Sequence, residues 1–214
     1  LSTQDSVHNH RFFITLGGDH SCAIGSWSGA ANAIADKGDL GLIWFDAHMD
    51  SHTFETTPSN NIHGMPLASL LGHGDTAFTH LLSDKPKLKP ENVVLIGVRS
   101  YESSEAALLK KLGVKVFYMD DINTLGMHEV ISQALKIVTR NTYRFGISVD
   151  LDGFDPIDAP GVGSREKDGV NAADFLENFS RIAQHPQLIG MDIVEFNPGL
   201  DYNRQTEMLA VALC

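Results

Sequence analysis

The residues with the clearest chemical potential lie in the stretch WFDAHMDSH, residues 44–52. Asp46, His48 and Asp50 occupy alternate positions directly after an apolar run. Because a strand projects every second side chain to the same face, these three side chains point together if the strand continues and stay close if it ends there. Carboxylates and imidazoles bind metal ions, so the stretch predicts metal-binding chemistry at the end of a buried strand.

Three other segments carry acids or imidazoles at predicted strand ends: GGDHS (17–21), SVDLDGFDP (148–156) and GMDIVEFNP (190–198). A single aspartate at a strand end is most often a turn or helix-cap residue, but four such segments together are harder to explain in that way. If the first two of these ends converge with residues 46–50, six metal-binding side chains meet. They are His20, Asp46, His48, Asp50, Asp150 and Asp152.

This cluster would hold four carboxylates, which repel one another strongly and would have to take up protons unless cations were bound. Two divalent ions would neutralise all four. Oxygen-rich ligation with a minority of imidazole and no thiolate favours Mn²⁺, Mg²⁺ or Fe²⁺ over a structural zinc ion. Six side chains can serve two ions only if some carboxylates bridge, and a water between two such ions becomes acidic enough to attack as hydroxide. The cluster therefore predicts a two-metal hydrolytic site.

The elements that must position these side chains alternate between strand and helix along the chain. Apolar runs predict strands at residues 11–16, 40–45, 92–98, 114–119, 143–149 and 188–194. Helical patterns occupy residues 21–36, 103–113, 127–140, 171–184 and 204–214. The alternation predicts an α/β fold, a three-layer α/β/α sandwich with a predominantly parallel sheet, formed by residues 1–214 as one domain. Sites in such sheets lie beyond the carboxyl ends of the strands.

Composition narrows the possible partners and location. The chain has 214 residues, 43% of them hydrophobic, and a formal net charge of -11, which argues against nucleic acid or an anionic membrane surface as a partner. With only two cysteines and no apolar run of membrane-spanning length, we predict a reducing, cytoplasmic location. The chain begins without Met close to a buried-looking strand, so we expect that an N-terminal portion is missing, and any targeting signal with it.

The segments GGDHS, DAHMD and SVDLDGFDP resemble the signatures of the arginase/agmatinase (ureohydrolase) family, and they occur in that family's order. The resemblance runs from about Phe12 to the C-terminus. It implies an arginase-like fold, a small guanidino substrate, two Mn²⁺ per subunit and assembly into homotrimers or homohexamers. The arginase branch is the closest, which implies hydrolysis of L-arginine to L-ornithine and urea through a metal-bridging hydroxide.

The resemblance also implies roles at the reaction centre. One manganese ion would be held by His20, Asp46, Asp50 and Asp150, and the other by Asp46, His48, Asp150 and Asp152. Glu195 would pair with the substrate guanidinium, because a planar cation is well held by two parallel hydrogen bonds. Asp50 would deliver a proton to the leaving amine. His63, in the segment NNIHGM, would exchange protons with solvent, as its titration near neutral pH suits.

Further positions match the binding of the amino-acid end of the substrate. Ser59 and Asn61 match carboxylate-binding positions, Glu102 stands where arginases commonly carry an Asp for the α-amino group, and Ser164 matches a hydroxyl near the guanidinium. His52 replaces a common Asn and could donate one hydrogen bond to the substrate carboxylate or only fill space. The segment APGVGSREKDGV, residues 159–170, lacks the usual GTPxxGGL. Agmatine, guanidinobutyrate and formiminoglutamate therefore stay open as substrates, as does a non-catalytic member of the fold.

Two other features receive structural interpretations. Trp44, at the end of the apolar run 40–45, is predicted as a core aromatic residue. The lysine-rich segment KPKLKPEN, residues 85–92, is predicted as a solvated loop before a strand.

Overall fold

The computed structural model describes residues 2–214, in which one six-stranded sheet forms the centre of the fold. Its strands are β1 (Phe13–Leu16), β2 (Leu40–Phe45), β3 (Val93–Val98), β4 (Lys115–Tyr118), β5 (Arg144–Asp150) and β6 (Leu188–Val194). They lie in the order β1-β6-β5-β2-β3-β4, and every neighbouring pair is parallel. The predicted parallel sheet is therefore confirmed, and β2 and β6 have the predicted bounds.

Helices cover both faces of the sheet, which makes the fold a three-layer α/β/α sandwich. Side chains of α1 (Ser2–His8), α2 (Cys22–Ala33), α3 (Pro66–Leu70) and α5 (Ser103–Leu112) enter one core. Those of α6 (Met119–Leu125), α7 (Met127–Arg140), α8 (Ala172–Ala183) and α9 (Gln205–Leu213) enter the other. The short helix α4 (Thr76–Thr79) lies in the connection between α3 and β3.

Strand β2 shows why its sequence is continuously apolar. Ile43 and Phe45 pack in one core, whereas Leu42 and Trp44 pack in the other, and all four are fully buried. A strand covered on both faces needs apolar side chains at every position, because both sides of the pleat face a helix layer. The same placement brings the end of β2, where Asp46 follows, to the middle of the sheet's carboxyl edge.

The structure departs from the sequence-based expectations in two places. Strand β1 is an edge strand, and Ile14 and Leu16 expose 40% and 71% of their surface, so it is not the buried strand that its composition indicates. The short helices α1, α3, α4 and α6 were not predicted, because none shows a sustained apolar period of 3.6 residues. None of the helices in residues 2–214 combines the length and apolar character needed to span a bilayer.

Candidate metal centre and substrate cavity

The first group of predicted ligands surrounds His20, which lies between β1 and α2. Its Nδ1 lies 3.1 Å from Asp46 Oδ2, 3.0 Å from Asp50 Oδ2 and 3.0 Å from Asp150 Oδ2, and the His20 side chain is 1% exposed. His20 follows β1, Asp46 and Asp50 follow β2, and Asp150 is the last residue of β5, so the carboxyl ends of three strands do converge. The imidazole of His20 also stacks on the indole of Trp44 at a centroid distance of 4.1 Å, which fixes the ring plane.

A second group lies beside the first and shares one residue with it. His48 Nδ1 lies 3.3 Å from Asp46 Oδ1 and 3.2 Å from Asp152 Oδ2. Asp46 therefore turns one carboxylate oxygen to each group, Oδ2 to His20 and Oδ1 to His48. Two neighbouring sets of three converging ligand atoms result: His20, Asp46 and Asp150, and Asp46, His48 and Asp152.

Hydrogen bonds behind His20 assign its tautomer. His20 Nε2 lies 2.8 Å from Ser148 Oγ, and Ser148 Oγ donates its own proton to Asp192 Oδ1. Because that hydroxyl proton is already committed, Ser148 accepts from an Nε2–H, and Nδ1 is the ring nitrogen that faces the carboxylates and would ligate a cation. Burial raises the pKa of Asp192 to about 6, partly offset by His20 and Ser148. Sequence analysis did not identify Ser148 and Asp192, although Ser148 precedes a predicted ligand by two residues on the same strand face.

The protonation balance of the cluster points to missing positive charge. Burial, and then repulsion by Asp46, raise the pKa of Asp50 to about 7, and the pKa of Asp150 is raised by burial and by Asp152. Against the cost of burial, hydrogen bonds that His48 donates to Asp152 and Asp46 raise the pKa of His48 to about 12. Cations that displaced these protons would bind at the same atoms.

Two atoms of the cluster test directly whether a metal ion fits. His20 Nδ1 and Asp50 Oδ2 are buried and have no hydrogen-bond partner, although they lie 3.0 Å apart. Buried polar atoms are normally paired, so atoms that converge without hydrogen-bond geometry indicate ligands of a common cation. Together with the oxygen-rich donor set, the residues fit two divalent ions.

Backbone strain supports the same conclusion. Asp50 and Glu195 adopt positive φ angles of 48° and 64°, which are costly for residues other than glycine and are often found at functional sites. Gly97, at φ 101°, brings β3 so close to the chain after β2 that a Cβ there would lie 3.1 Å from Asp46 O. These conformations aim the carboxylates at the carboxyl edge of the sheet.

A cavity of about 140 Å³ opens from the cluster to the surface. Glu195 lies on its wall with Oε1 accepting a hydrogen bond from His20 N at 2.9 Å, and burial raises the pKa of its carboxyl group. His63 Nδ1 lies 3.9 Å from the same oxygen, and its side chain is 43% exposed. The carboxylate of Glu195 therefore lies beside the cluster, while the imidazole of His63 lies between that carboxylate and solvent.

The outer wall of the cavity carries an imidazole between two carboxylates. His52 Nε2 lies 2.9 Å from Glu102 Oε2 and 3.5 Å from Glu105 Oε2, and its Nδ1 lies 3.1 Å from Thr56 Oγ1. Both ring nitrogens are thus engaged within the protein. Glu105 was not predicted, although Glu102 and Glu105 have the spacing of a capping box, in which the second carboxylate accepts from the first residue's N–H.

The other predicted substrate residues are divided. Ser59 and Ser164 line the cavity, as does Glu102. Asn61 is exposed and lies outside the cavity lining, and its N–H bonds to Ser59 Oγ at 3.1 Å. Trp44 is fully buried as predicted, but it also donates its indole N–H to Asp46 Oδ2 at 2.9 Å, a role in the site that its apolar surroundings did not indicate.

Comparisons with known proteins agree with this geometry. A family model described as the Arginase family matches residues 2–214. Arginase from Brevibacillus brevis is 44% identical over 203 residues, which are 95% of this chain and 67% of that protein, and arginase from Bacillus caldovelox is 42% identical over 207 residues, 97% and 68%. The solved native structure of Bacillus caldovelox arginase superimposes with a TM-score of 0.94 over 99% of this chain and 70% of that one.

Proposed function

The chain belongs to the arginase family, hydrolases of the guanidino C–N bond, and we propose that it hydrolyses L-arginine to L-ornithine and urea with two Mn²⁺ ions. The observation that carries this proposal is that the two carboxylate oxygens of Asp46 face two separate ligand groups. A carboxylate used in this way suits a pair of neighbouring ions. In this proposal His20, Asp46, Asp50 and Asp150 hold one ion, and Asp46, His48, Asp150 and Asp152 hold the other.

When bound, the two ions supply Lewis-acid chemistry that makes a water molecule acidic enough to attack the guanidino carbon. The protein's own groups orient the substrate and move protons. Glu195, fixed by the N–H of His20, accepts hydrogen bonds from the planar guanidinium on the wall of the cavity. Asp50 passes a proton to the leaving amine, and the half-exposed His63 exchanges protons with solvent.

The contacts to the substrate's α-amino and α-carboxylate groups determine which guanidino compound is preferred. Glu102 and Glu105 place two carboxylates at the outer wall, where an α-ammonium group would be neutralised. Ser59 supplies a hydroxyl for the α-carboxylate, and Ser164 supplies one near the guanidinium. Agmatine has no carboxylate, so it would lose the contact with Ser59 and keep the contacts with the acids.

The test is urea release by the Mn²⁺-loaded protein with L-arginine and agmatine compared side by side. We expect kcat/KM to be at least about a hundredfold higher for L-arginine, which corresponds to roughly 2.7 kcal/mol of transition-state discrimination by the α groups. Preference for agmatine or guanidinobutyrate in the same assay, or release of formamide from formiminoglutamate in a parallel assay, would mean that the residues of the outer wall select a different substrate. No urea from any guanidino compound would contradict the proposal.

A pair of matched variants tests the role of Glu195. We expect Glu195→Gln to lower kcat/KM by about 10² to 10³, as for other groups that stabilise a developing charge. Glu177→Gln changes an exposed acid on α8 and should leave kcat/KM within about twofold. Equal activity of the two variants would remove Glu195 from the mechanism.

Three wider features are part of the same proposal. Residues 1–214 would act as one ureohydrolase domain, the protein would work in the cytoplasm, and subunits would assemble as homotrimers or homohexamers. Light scattering at several protein concentrations measures the assembly directly. A monomer at all concentrations would contradict that part alone.

A further inference from the structure

Arg99, the residue that follows β3, makes an unusual set of contacts. Its guanidinium donates to the carbonyl oxygens of Gly97, Asp152, Gly153, Phe154, Glu166 and Lys167 at 2.8–3.2 Å. A guanidinium has five N–H donors, so one of them is shared, and every donor is used on the backbone. Because no donor of the guanidinium is left over, Arg99 is poorly suited to bind a carboxylate of the substrate.

Three of these carbonyls, those of Asp152, Gly153 and Phe154, belong to the segment that carries one ligand of the second group. Arg99 Nη2 donates to Asp152 O at 2.8 Å, next to a ligand side chain, and the N–H of Arg99 donates to Ala47 O at 2.9 Å, between Asp46 and His48. One residue is thus tied to the backbone on both sides of the group formed by Asp46, His48 and Asp152. None of these bonds reaches the backbone beside His20, at the other group.

The third segment held by Arg99 places an acid against His48. Arg99 binds the carbonyls of Glu166 and Lys167 at 2.9 and 3.0 Å, and Glu166 Oε1 lies 3.8 Å from His48 Nε2. His48 Nδ1 faces Asp46 and Asp152, so Nε2 is the nitrogen that remains to donate outward. The distance of 3.8 Å is that of an ion pair and not of a hydrogen bond. A carboxylate that faces the outer nitrogen of a ligating histidine favours this ring orientation and makes the imidazole a better donor to the metal.

We infer that Arg99 and Glu166 are positioning residues for the second of the two cation subsites: Arg99 holds the backbone of Asp152 and the 166–167 segment together, and Glu166 orients His48. The inference rests on the proposed function, because it assumes that two ions bind. It assigns to Arg99 a task that a lysine cannot take over, since an ammonium has three donors and no planar fork.

The experiment is Mn²⁺ titration calorimetry of the whole chain, supported by the electron paramagnetic resonance signal of spin-coupled Mn²⁺ pairs. We expect Arg99→Lys to weaken the second ion by about 10- to 100-fold and to leave the first within about threefold. Glu166→Gln, which changes a side chain on the loop surface and threatens no core packing, should weaken the second ion by about tenfold. The coupled-pair signal should fall in both variants at two equivalents of Mn²⁺.

Arg165→Lys is the matched control, since Arg165 also donates to backbone carbonyls, those of Pro160 and Leu200, but is exposed and contacts neither ligand group. It should bind both ions as the unmodified chain does. Equal weakening of both ions by Arg99→Lys would indicate a merely structural role and overturn the inference, as would an unchanged second ion in Glu166→Gln. If Arg99→Lys does not fold, Glu166→Gln decides alone. An unmodified chain that binds fewer than two ions would overturn the proposed function as well.

Discussion

Two regions of this protein bury charge, and they differ in whether the protein itself completes the neutralisation. At the carboxyl edge of the sheet, the carboxylates of Asp46, Asp50 and Asp150 converge on His20 with a shortage of positive charge. In the connection before β3, the ammonium of Lys87, 8% exposed, donates to the carbonyls of Thr79, Ser83 and Lys85 at 2.7–2.9 Å. The three donors of Lys87 have three acceptors, whereas the acids have too few donors.

The difference separates structural from functional buried charge. A buried ion whose donors are all hydrogen-bonded within the protein has its desolvation cost offset there and needs no further ligand. A buried cluster that remains short of opposite charge is costly in the isolated protein, and that cost is removed only when cations bind. The same physical rule therefore assigns Lys87 to the scaffold and the acids to the site.

The largest effect should come from neutralising one acid of the cluster. For Asp150→Asn we expect kcat/KM for L-arginine to fall at least about a thousandfold, about 4 kcal/mol, because the amide cannot balance cationic charge. The free energy of unfolding of the metal-free chain should rise by about 1 to 3 kcal/mol, since one buried repulsion disappears. Urea assays and denaturant titrations in chelator measure both quantities. Asp36→Asn, on the exposed surface, should change neither.

An unchanged activity of Asp150→Asn would contradict the assignment of the acidic cluster to the functional site. So would a metal-free chain that lost stability, because the acids would then be as well satisfied within the protein as Lys87 is.

The second effect is the pH dependence of the metal-free chain. The folded-state pKa values of Asp50 and Asp192 are raised to about 7 and about 6, so between pH 4 and 7 the folded chain binds more protons than the unfolded chain. Stability must then fall as pH rises through this window, and a difference of two pKa units for one group corresponds to about 2.7 kcal/mol. His48, with its raised pKa, continues the decline above pH 7.

Chemical denaturation in chelator at pH 4.5, 6 and 7.5 measures this slope. With excess Mn²⁺ the slope should reverse, because cations and protons compete for the same atoms and the cations gain as pH rises. A metal-free chain that became more stable from pH 4.5 to 7.5 would mean that the acids are ionised and matched in the fold.

The third effect tests the region around Lys87, where the protein itself completes the hydrogen bonding of a buried charge. For Lys87→Met we expect the free energy of unfolding to fall by about 2 to 3 kcal/mol, because three carbonyl oxygens lose a charged donor inside the protein. Lys85→Met, two residues away, alters an exposed side chain and should cost less than about 0.5 kcal/mol. Denaturant titration compares the two, and kcat/KM of the Mn²⁺-loaded forms should be unchanged in both. Loss of activity without loss of stability would show that the segment acts on the site.

The two regions were not equally predictable from sequence. The acids were identified because a strand end is marked by its apolar run, and β2 and β6 have the bounds that their sequences indicate. The lysine-rich segment, residues 85–92, was predicted as a solvated loop before a strand, and it does precede β3. The prediction was wrong at Lys87 and Leu88, which are buried. The partners of Lys87 are backbone carbonyls, which every residue carries, so no residue type announces them. Arg99 escaped sequence analysis for the same reason.

Side chains with two partners were predicted least well. Trp44 has the apolar neighbours of a core residue and also donates to Asp46, and Glu105 has the spacing of a helix cap and also faces His52. Long-range contacts of this kind depend on how the loops after β2 and β3 fold against each other, which local patterns do not determine. His52 is the residue for which this matters most, because its neighbours in space decide its role.

The smallest predicted effect concerns His52, which lies on the cavity wall near the acidic cluster and contacts a residue proposed to bind substrate. Both of its nitrogens are engaged, with Thr56 and Glu102, so it has no free donor for a substrate carboxylate. We therefore expect His52→Asn to change KM through Glu102, by less than about fivefold or about 1 kcal/mol. L-arginine and agmatine, the latter as substrate or competitive inhibitor, should shift by the same factor, because both carry the amine that Glu102 would bind. Thr56→Val should shift both equally and by less, and a change confined to L-arginine would mean that His52 contacts the carboxylate after all.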